Sequence, residues 1–266
     1  MIKKYIIVIP ARYASTRFPG KPLAAIAGKS MIQRVWERCT GAGTAVRVIV
    51  ATDDDRIAAE VASFGGESMM TPPDLASGSE RMAWVAERTD GEIFINVQGD
   101  EPLMPPATID AVAAALHDSD ADIATAACPL SSLADLNNPN VVKLVTDCSG
   151  NALYFSRAGI PFHRDAAEMS VRGGNPFGEG GVYFRHIGIY GFRRDALLRF
   201  ASLPPGRLEQ LEKLEQLRAL ENGMRIRVAI VPTDSQAVDT PEDLAKVEEL
   251  LRNMVPISPI QDLMNE

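Results

Sequence analysis

Short apolar runs that alternate with amphipathic helical patterns constrain the fold of this chain most strongly. The runs include YIIVIPA, VRVIVATD and EIFINVQGD, and each is followed by a segment whose apolar residues have helical spacing. Short β-branched runs separated by helices of about 10 residues are typical of a parallel sheet covered on both faces. The pattern therefore predicts a doubly wound, mostly parallel α/β fold, in which ligands bind beyond the carboxyl ends of the strands.

The same pattern predicts one domain of 266 residues with two regions. It is regular over about residues 1–130 and 225–255, which we expect to form the ligand-binding core. Residues from about 131 to 224 are less regular and are expected to form a smaller subregion. Within that subregion, five glycines between Gly173 and Gly181 predict a mobile loop or lid.

Composition and charge argue against several classes of protein. A formal net charge of -8 and a pI near 5.1 disfavour a nucleic-acid-binding protein, which would usually present a basic surface. No apolar run approaches the roughly 20 residues that a membrane-spanning helix needs. Cys39, Cys128 and Cys148 lack any CxxC spacing, so we expect reduced thiols in a cytoplasmic protein.

A cationic loop follows the first predicted strand. The first 36 residues carry seven basic residues and no acidic one, and Arg12, Arg17 and Lys21 lie together in IPARYASTRFPGKPL. Arginine suits bidentate contact with phosphate, and lysine supplies a point charge. Because this loop lies at the carboxyl end of a strand, we predict that it captures a small anion. The alternative is a solvated basic turn.

Two aspartates are candidates for a magnesium site. Asp100 follows the buried strand in NVQGDEPL, and Mg²⁺ prefers one or two protein carboxylates together with substrate phosphates. Asp239 precedes a helix whose beginning is explained by Thr240 as N-cap, Pro241 and Asp243, whereas Asp239 itself is not explained by capping. From local sequence alone, an ordinary polar turn explains either aspartate equally well.

The segment SGSERMAW predicts the start of another helix. Ser77 and Glu80 have capping-box spacing, which makes Ser77 the N-cap. Arg81 lies in the first turn, where a cation is unfavourable next to the positive end of the helix dipole. Its position indicates an anionic neighbour, although exposed arginines also occur at such places.

Two later patterns concern a possible ligand pocket. In the predicted strand YFRHIGIY, the period of two places His186 and Tyr190 on one face, where both can reach the same ligand. The residues from Leu208 to Leu220 predict a single helix. On it, Glu209, Glu212 and Gln216 form a narrow polar strip that faces either solvent, which amphipathicity favours, or a polar pocket.

Taken together, the motifs resemble a known family over nearly the whole chain and in the right order. The matching segments are IPARYASTRFPGKPL, SGSER, NVQGDEPL, ALYFSRAGIPF, RHIGIYGFR, LEQLEKLEQLR and VDTPEDL. The chain is similar to the 3-deoxy-manno-octulosonate cytidylyltransferases, also called CMP-Kdo synthetases. The resemblance implies a nucleotide-diphospho-sugar transferase fold and an activating step of lipopolysaccharide synthesis, in which CTP and Kdo give CMP-Kdo and diphosphate. It also implies a homodimer and a Mg²⁺ cofactor.

The resemblance further implies roles for individual residues. Catalytic roles fall to Arg12, Lys21, Asp100 and Asp239. Within that set, Arg12 and Lys21 would grip the triphosphate, and Asp100 and Asp239 would hold Mg²⁺. Other nucleotide-binding residues would be Arg17, Ser77, Arg81 and Gln98. The sugar-acid pocket would be lined by Gln98, Arg157, His186, Tyr190, Glu212 and Gln216. The less regular subregion would carry sugar binding and dimerisation.

Other functions remain open from the sequence. The nearest is a cytidylyltransferase for another keto-sugar acid, such as a sialic-type acid or 8-amino-Kdo. A nicotinamide-dependent dehydrogenase would share the sheet type, but no GxGxxG follows the first strand. A non-catalytic sugar-nucleotide sensor would need the fold but not both aspartates.

Overall fold

The computed structural model describes residues 4–14, 18–75, 77–130, 132–164 and 183–253. The strands are β1 (Tyr5–Ala11), β2 (Ala25–Ile26), β3 (Lys29–Ser30), β4 (Ala45–Thr52), β5 (Glu67–Met70), β6 (Ile93–Asn96), β7 (Ile123–Pro129), β8 (Lys143–Thr146), β9 (Ala152–Ser156), β10 (Phe184–Arg193) and β11 (Ile226–Ile230). The helices are α1 (Met31–Thr40), α2 (Asp55–Ser63), α3 (Gly78–Glu87), α4 (Pro106–His117), α5 (Leu133–Asn137), α6 (Arg194–Ser202), α7 (Arg207–Glu212), α8 (Gln216–Glu221) and α9 (Pro241–Asn253), and a 3₁₀ turn spans Lys21–Leu23.

A mostly parallel sheet with strand order β11-β7-β10-β6-β1-β4-β5 runs through the described part of the chain. β1 pairs in parallel with β4 and β6, β4 with β5, and β7 with β11. β10 is antiparallel to both β6 and β7, and it also pairs with β8, which pairs with β9. The prediction of a doubly wound, mostly parallel sheet is confirmed.

The side chains of β1 point alternately to the two faces of the sheet, and helices cover both faces. Tyr5, Ile7 and Ile9 pack in a core cluster with apolar residues of α1, α2 and α4. Ile6 and Val8 point to the opposite face and pack with residues of α3, α6 and α8. Because successive side chains of a strand point to opposite faces, one apolar run supplies both cores.

Side-chain caps mark the beginnings of α1 and α9, and the cap of α9 is the one that the sequence predicts. The Oγ of Ser30 accepts a hydrogen bond from the N–H of Gln33, at 3.3 Å, at the start of α1. Thr240 and Asp243 form a reciprocal capping box before α9, with two N–H to oxygen distances of 3.2 Å. No helix in the described residues is both long and apolar enough to cross a bilayer.

The predicted single helix from Leu208 to Leu220 is wrong. Lys213 adopts a left-handed conformation, with φ 55° and ψ 45°, and separates α7 from α8. Leucines at every third position sweep around a straight helix, so no single face could bury them all. The break places Leu214 and Leu217 in the core and leaves Leu211 exposed.

Candidate active site

Lys21 connects two aspartates that are remote in sequence. Its Nζ lies 2.6 Å from Oδ2 of Asp100 and 3.5 Å from Oδ1 of Asp239, and it donates to the carbonyl oxygen of Val238 at 2.9 Å. The Lys21 side chain is only 14% exposed. The structure therefore brings together three of the four residues to which the resemblance gives catalytic roles, at the carboxyl ends of β1 and β6.

Local backbone geometry delivers Lys21 to this position. Gly20 has φ 70°, in the left-handed region that favours glycine, and its N–H donates to the carbonyl of Tyr13 at 3.0 Å. The loop after β1 thus closes on itself before the 3₁₀ turn begins. As a result, Lys21 lies at the edge of the sheet where β1 ends.

The segments that carry the two aspartates are tied to each other and to β1. A Cβ at Gly99 would lie 2.8 Å from the carbonyl oxygen of Pro10, so only glycine allows this close approach. The N–H of Val238 donates to the carbonyl of Asp100 at 2.9 Å. Ser235 donates to the buried carboxyl of Glu101, and burial raises the pKa of Glu101 to about 7. Asp100 and Asp239 are therefore held near each other by their backbones.

The pair of aspartates fits a magnesium ion with few protein ligands. In the structure, the two carboxylates converge on a cation, the ammonium group of Lys21. The described residues contain no group of three or more His, Cys, Asp or Glu side chains that could hold a metal. Mg²⁺ dehydrates reluctantly and is usually bound by one or two carboxylates plus substrate phosphates, which this donor set matches.

The other members of the cationic loop are placed differently. Arg12 directly follows β1 and is exposed at the same edge of the sheet. Arg17 lies outside the described residues, as does the predicted glycine-rich lid at 173–181. Tyr13 stacks under the guanidinium of Arg56 at 3.3 Å, which fixes one side of the loop against α2.

Ser77 and Arg81 lie at the beginning of α3. The Oγ of Ser77 accepts from the N–H of Glu80 at 3.2 Å, which confirms its capping role. Arg81 is fully buried, and its guanidinium donates to Asp53 Oδ2 at 2.7 Å and to the hydroxyl of Thr71. Asp53 is the anionic neighbour that the position of Arg81 indicates. No local sequence pattern identifies Asp53 as this neighbour, because it lies 28 residues from Arg81.

A second group of predicted residues lies beside β6. The ladder pairs Tyr190 of β10 with Asn96 of β6, and Gln98 donates to Oδ1 of Asn96 at 3.2 Å. The rings of His186 and Tyr190 are 5.4 Å apart, so the prediction that they share one face is confirmed. Gln98 thus lies between Asp100 and the His186–Tyr190 pair along the edge of the sheet.

A small cavity opens next to Tyr190 and contains two buried polar atoms that make no hydrogen bond to the described residues, one of which lies 3.8 Å from the guanidinium of Arg218. It is lined by Ser79, Ile123, Tyr190, Phe192, Phe200, Glu215 and Gln216. Nε2 of Gln216 and Oε1 of Glu215 are buried and make no hydrogen bond. The other oxygen of Glu215 accepts from Ser79 at 2.9 Å. Because an unsatisfied buried donor and acceptor are costly, a water molecule or a polar group of a ligand must satisfy them.

Glu212 does not line the cavity beside Tyr190. The carboxylate of Glu212 accepts from the hydroxyl of Ser156 at 2.7 Å and from the N–H of Arg157 at 3.0 Å. Nε of Arg157 donates to the carbonyl of Glu212 at 2.7 Å. Glu212 therefore ties α7 to β9, whereas Glu215, three residues later, lines the cavity with Gln216. The break at Lys213 changes which face each glutamate occupies.

Burial controls the ionisation of the His186–Tyr190 pair. It lowers the pKa of His186 from 6.5 to about 3, and it raises the pKa of Tyr190, to which the charge of Glu215 also contributes. Both side chains are therefore neutral near pH 7. In this state His186 has one nitrogen that donates a hydrogen bond and one that accepts, but it supplies no positive charge.

The lowered pKa of His186 predicts a pH-dependent stability. The unfolded chain takes up a proton near pH 6.5 while the folded ring stays neutral, so stability present above that pH is lost as the pH falls towards 3. Because of this group, we expect the free energy of unfolding to fall by about 1 kcal/mol for each pH unit in this range. Urea denaturation of the wild type and His186→Gln between about pH 7 and about pH 5 measures the difference. Parallel profiles of the two proteins would contradict the expectation.

Comparisons with known proteins identify the family of this chain. The family model described as Cytidylyltransferase matches residues 6–226. A 3-deoxy-manno-octulosonate cytidylyltransferase from Syntrophotalea carbinolica is 54% identical over 248 residues, covering 93% of this chain and 98% of the relative. One from Syntrophobacter fumaroxidans is 52% identical over 248 residues, covering 92% and 95%.

A solved structure extends the comparison to three dimensions. The structure of CMP:2-keto-3-deoxy-manno-octonic acid synthetase complexed with CTP superposes with a TM-score of 0.87 at 40% sequence identity. The match covers 95% of this chain and all of the other. The chain is therefore a nucleotidyltransferase and belongs to the 3-deoxy-manno-octulosonate cytidylyltransferase family.

Proposed function

We propose that this protein transfers the cytidylyl group of CTP to 3-deoxy-D-manno-octulosonate, with CMP-Kdo and diphosphate as products. The observation that carries the proposal is the convergence of Lys21, Asp100 and Asp239, and the cavity in which Oε1 of Glu215 and Nε2 of Gln216 make no hydrogen bond to the described residues supports it. The names of the relatives and the CTP complex of the similar structure support the two substrates.

The cationic residues offset the electrostatic repulsion between the two anionic substrates. CTP and the sugar acid are both anions and must approach each other on a protein with a net charge of -8. Lys21, together with Arg12 and Arg17, would hold the phosphates and lower this repulsion. Asp100 and Asp239 would hold Mg²⁺, which when bound neutralises phosphate charge and makes the anomeric hydroxyl more acidic.

The pocket residues orient the sugar acid for in-line attack. Gln216 can donate to one sugar oxygen while Glu215 accepts from a hydroxyl, which fixes the ring beside Gln98. The anomeric hydroxyl then loses its proton to solvent, its oxygen bonds to the α-phosphorus, the bond from that phosphorus to the bridging oxygen breaks, and diphosphate leaves. Positioning of this kind can lower a barrier by about 7–11 kcal/mol in favourable systems. The reaction needs no covalent intermediate with the enzyme and no histidine base.

Release of diphosphate tests the function directly. The full chain is assayed with CTP, ATP, GTP and UTP, each against Kdo, 8-amino-Kdo and a sialic acid, with Mg²⁺ and with excess chelator. We expect turnover with CTP and Kdo that the chelator abolishes. A preference for another sugar acid would identify the protein as a cytidylyltransferase for that acid. No turnover with any pair of substrates would favour the non-catalytic sugar-nucleotide sensor. Turnover that persists in chelator would exclude the magnesium role of Asp100 and Asp239.

The biological setting is also part of the proposal. We infer that CMP-Kdo made by this protein serves lipopolysaccharide synthesis in the cytoplasm, and that the protein acts as a homodimer. Large apolar side chains are exposed in the subregion at Leu153, Phe162 and Leu211, which is consistent with a surface covered by a second copy. Light scattering after gel filtration measures the assembly, and a monomer at micromolar concentration would contradict it.

Glutamine variants of Glu215 and Glu212 distinguish a residue that binds the sugar acid from one that stabilises the local structure. Glu215→Gln turns the acceptor carboxylate into an amide, and we expect the KM for Kdo to rise about tenfold or more with little change in the KM for CTP. Glu212→Gln is the matched control, because its carboxylate binds Ser156 and the Arg157 backbone. We expect it to lower stability more than it raises the KM for Kdo. The reverse order of effects would restore Glu212 to the pocket.

A further inference from the structure

Thr125 lies in β7 beside an irregularity in β10. The ladder between these strands shifts its register between Ile187 and Tyr190. The fully buried Oγ1 of Thr125 lies 2.8 Å from the carbonyl oxygen of Ile189 and 3.4 Å from that of Ile187. The same oxygen lies 3.0 Å from Nε2 of His186. One hydroxyl thus faces two carbonyls and one ring nitrogen.

Counting hydrogens decides the direction of these bonds. A threonine hydroxyl has one hydrogen and two lone pairs, and a carbonyl oxygen can only accept. The hydrogen of Thr125 points to Ile189 O, the nearest of the three groups. Towards His186 the hydroxyl then presents a lone pair, so Nε2 must carry a hydrogen and donate it.

The other nitrogen of His186 is consequently an acceptor. With the ring neutral and Nε2 protonated, Nδ1 has a bare lone pair. Within the described residues, the contact between Nε2 and Thr125 is the only side-chain hydrogen bond of His186, whose backbone N–H donates to the carbonyl of Val142 at 2.8 Å. Phe155 packs against the ring at 5.1 Å and Tyr190 at 5.4 Å, which restricts its rotation.

We propose that Thr125 is a positioning residue of the sugar-acid pocket, because it holds His186 as the Nε2–H tautomer with Nδ1 ready to accept from a substrate hydroxyl. The identity of that substrate rests on the proposed function, whereas the tautomer does not. A hydroxyl or ammonium group of the ligand can donate to Nδ1. A group that can only accept a hydrogen bond, such as a keto oxygen or fluorine, would face the lone pair of Nδ1. It could form no hydrogen bond there and would bind poorly.

The tautomer is read directly by two-dimensional ¹H–¹⁵N correlation spectra of the full chain labelled at histidine nitrogen. The chain has three histidines, and the signals that disappear in His186→Gln identify this ring. We expect the wild type and Thr125→Ser to carry the proton on Nε2 and to show Nδ1 as the bare nitrogen. In Thr125→Val, which keeps the shape but lacks the hydroxyl, we expect a mixture of tautomers or Nδ1–H.

Kinetics of the same variants test the consequence for the pocket. We expect Thr125→Val to raise the KM for Kdo about tenfold, with kcat and the KM for CTP within about twofold of the wild type, and Thr125→Ser to restore the KM. A wild-type proton on Nδ1, or an unchanged tautomer in Thr125→Val, would overturn the inference. If Thr125→Val does not fold, the wild-type and Thr125→Ser spectra still decide it. A wild type without turnover would reject the proposed function, while the spectra would still report the tautomer.

Discussion

Asp100→Asn is expected to lower kcat at saturating CTP by about 1,000-fold or more, while the fold is retained. The substitution keeps the size of the side chain but removes the charge that faces Lys21 at 2.6 Å and that would hold Mg²⁺. A loss of this size corresponds to about 4 kcal/mol of transition-state stabilisation, which is within the range of a metal contact to a reacting phosphate. Steady-state diphosphate release measures it, and circular dichroism checks the fold.

Asp120→Asn is the matched control for this experiment. Asp120 is 80% exposed and pairs with Arg225 at 2.7 Å, near the amino ends of β7 and β11. It lies at the opposite end of these strands from the proposed site, so we expect its kcat to stay within about twofold, as for most surface changes. Calorimetric titration with CTP in chelator should show that Asp100→Asn still binds the nucleotide. Near-normal kcat in Asp100→Asn would remove this residue from the metal site.

Lys21→Ala is expected to lower kcat/KM for CTP by about 100-fold. The lysine supplies a largely buried positive charge at the place where the triphosphate would lie, and a charge-assisted contact of this kind is worth about 1.5–3 kcal/mol. Its removal also leaves Asp100 and Asp239 close together without their cation, which adds repulsion against the incoming phosphates. Kinetics at varied CTP and saturating Kdo measure the effect.

Lys29→Ala provides the comparison for Lys21. Lys29 belongs to the same basic N-terminal region, is 41% exposed, and pairs with Glu37 at 2.6 Å. An exposed ion pair contributes little, so we expect kcat/KM for CTP to remain within about twofold. Equal kcat/KM values for the two variants and the wild type would show that the charge of Lys21 has no part in capturing CTP.

Strand periodicity and turn chemistry were sufficient to predict the sheet and the position of the site within it. The loop after β1 and the turn after β6 both follow buried runs, and parallel strands bring their carboxyl ends to one edge. That rule places Lys21 and Asp100 at the same edge of the sheet, and the structure shows that they are in contact, at 2.6 Å, because β1 and β6 are adjacent. The caps at Ser77 and Thr240 were predictable because they depend only on residues within one turn.

Features that depend on contacts across the fold were not predictable in this way. Lys213 has no local signal for a left-handed residue, so a helical period over Leu208–Leu220 placed Glu212 on one polar strip with Gln216, whereas in the structure Glu215 lines the cavity with Gln216. Asp53 can be recognised as the partner of Arg81 only when β4 and α3 are placed side by side. Both cases show tertiary packing overriding a local pattern.

The antiparallel strand β10 determines how the chain can be divided. It lies between β6 and β7, so the middle of the sheet is completed by residues 184–193, long after its neighbours in the sequence. A fragment that stops at residue 130 would lack both partners of β7 and one partner of β6. Such a fragment would expose unpaired edges instead of forming a smaller stable unit. Cooperative folding of this enzyme must therefore wait until the ribosome has made its last third.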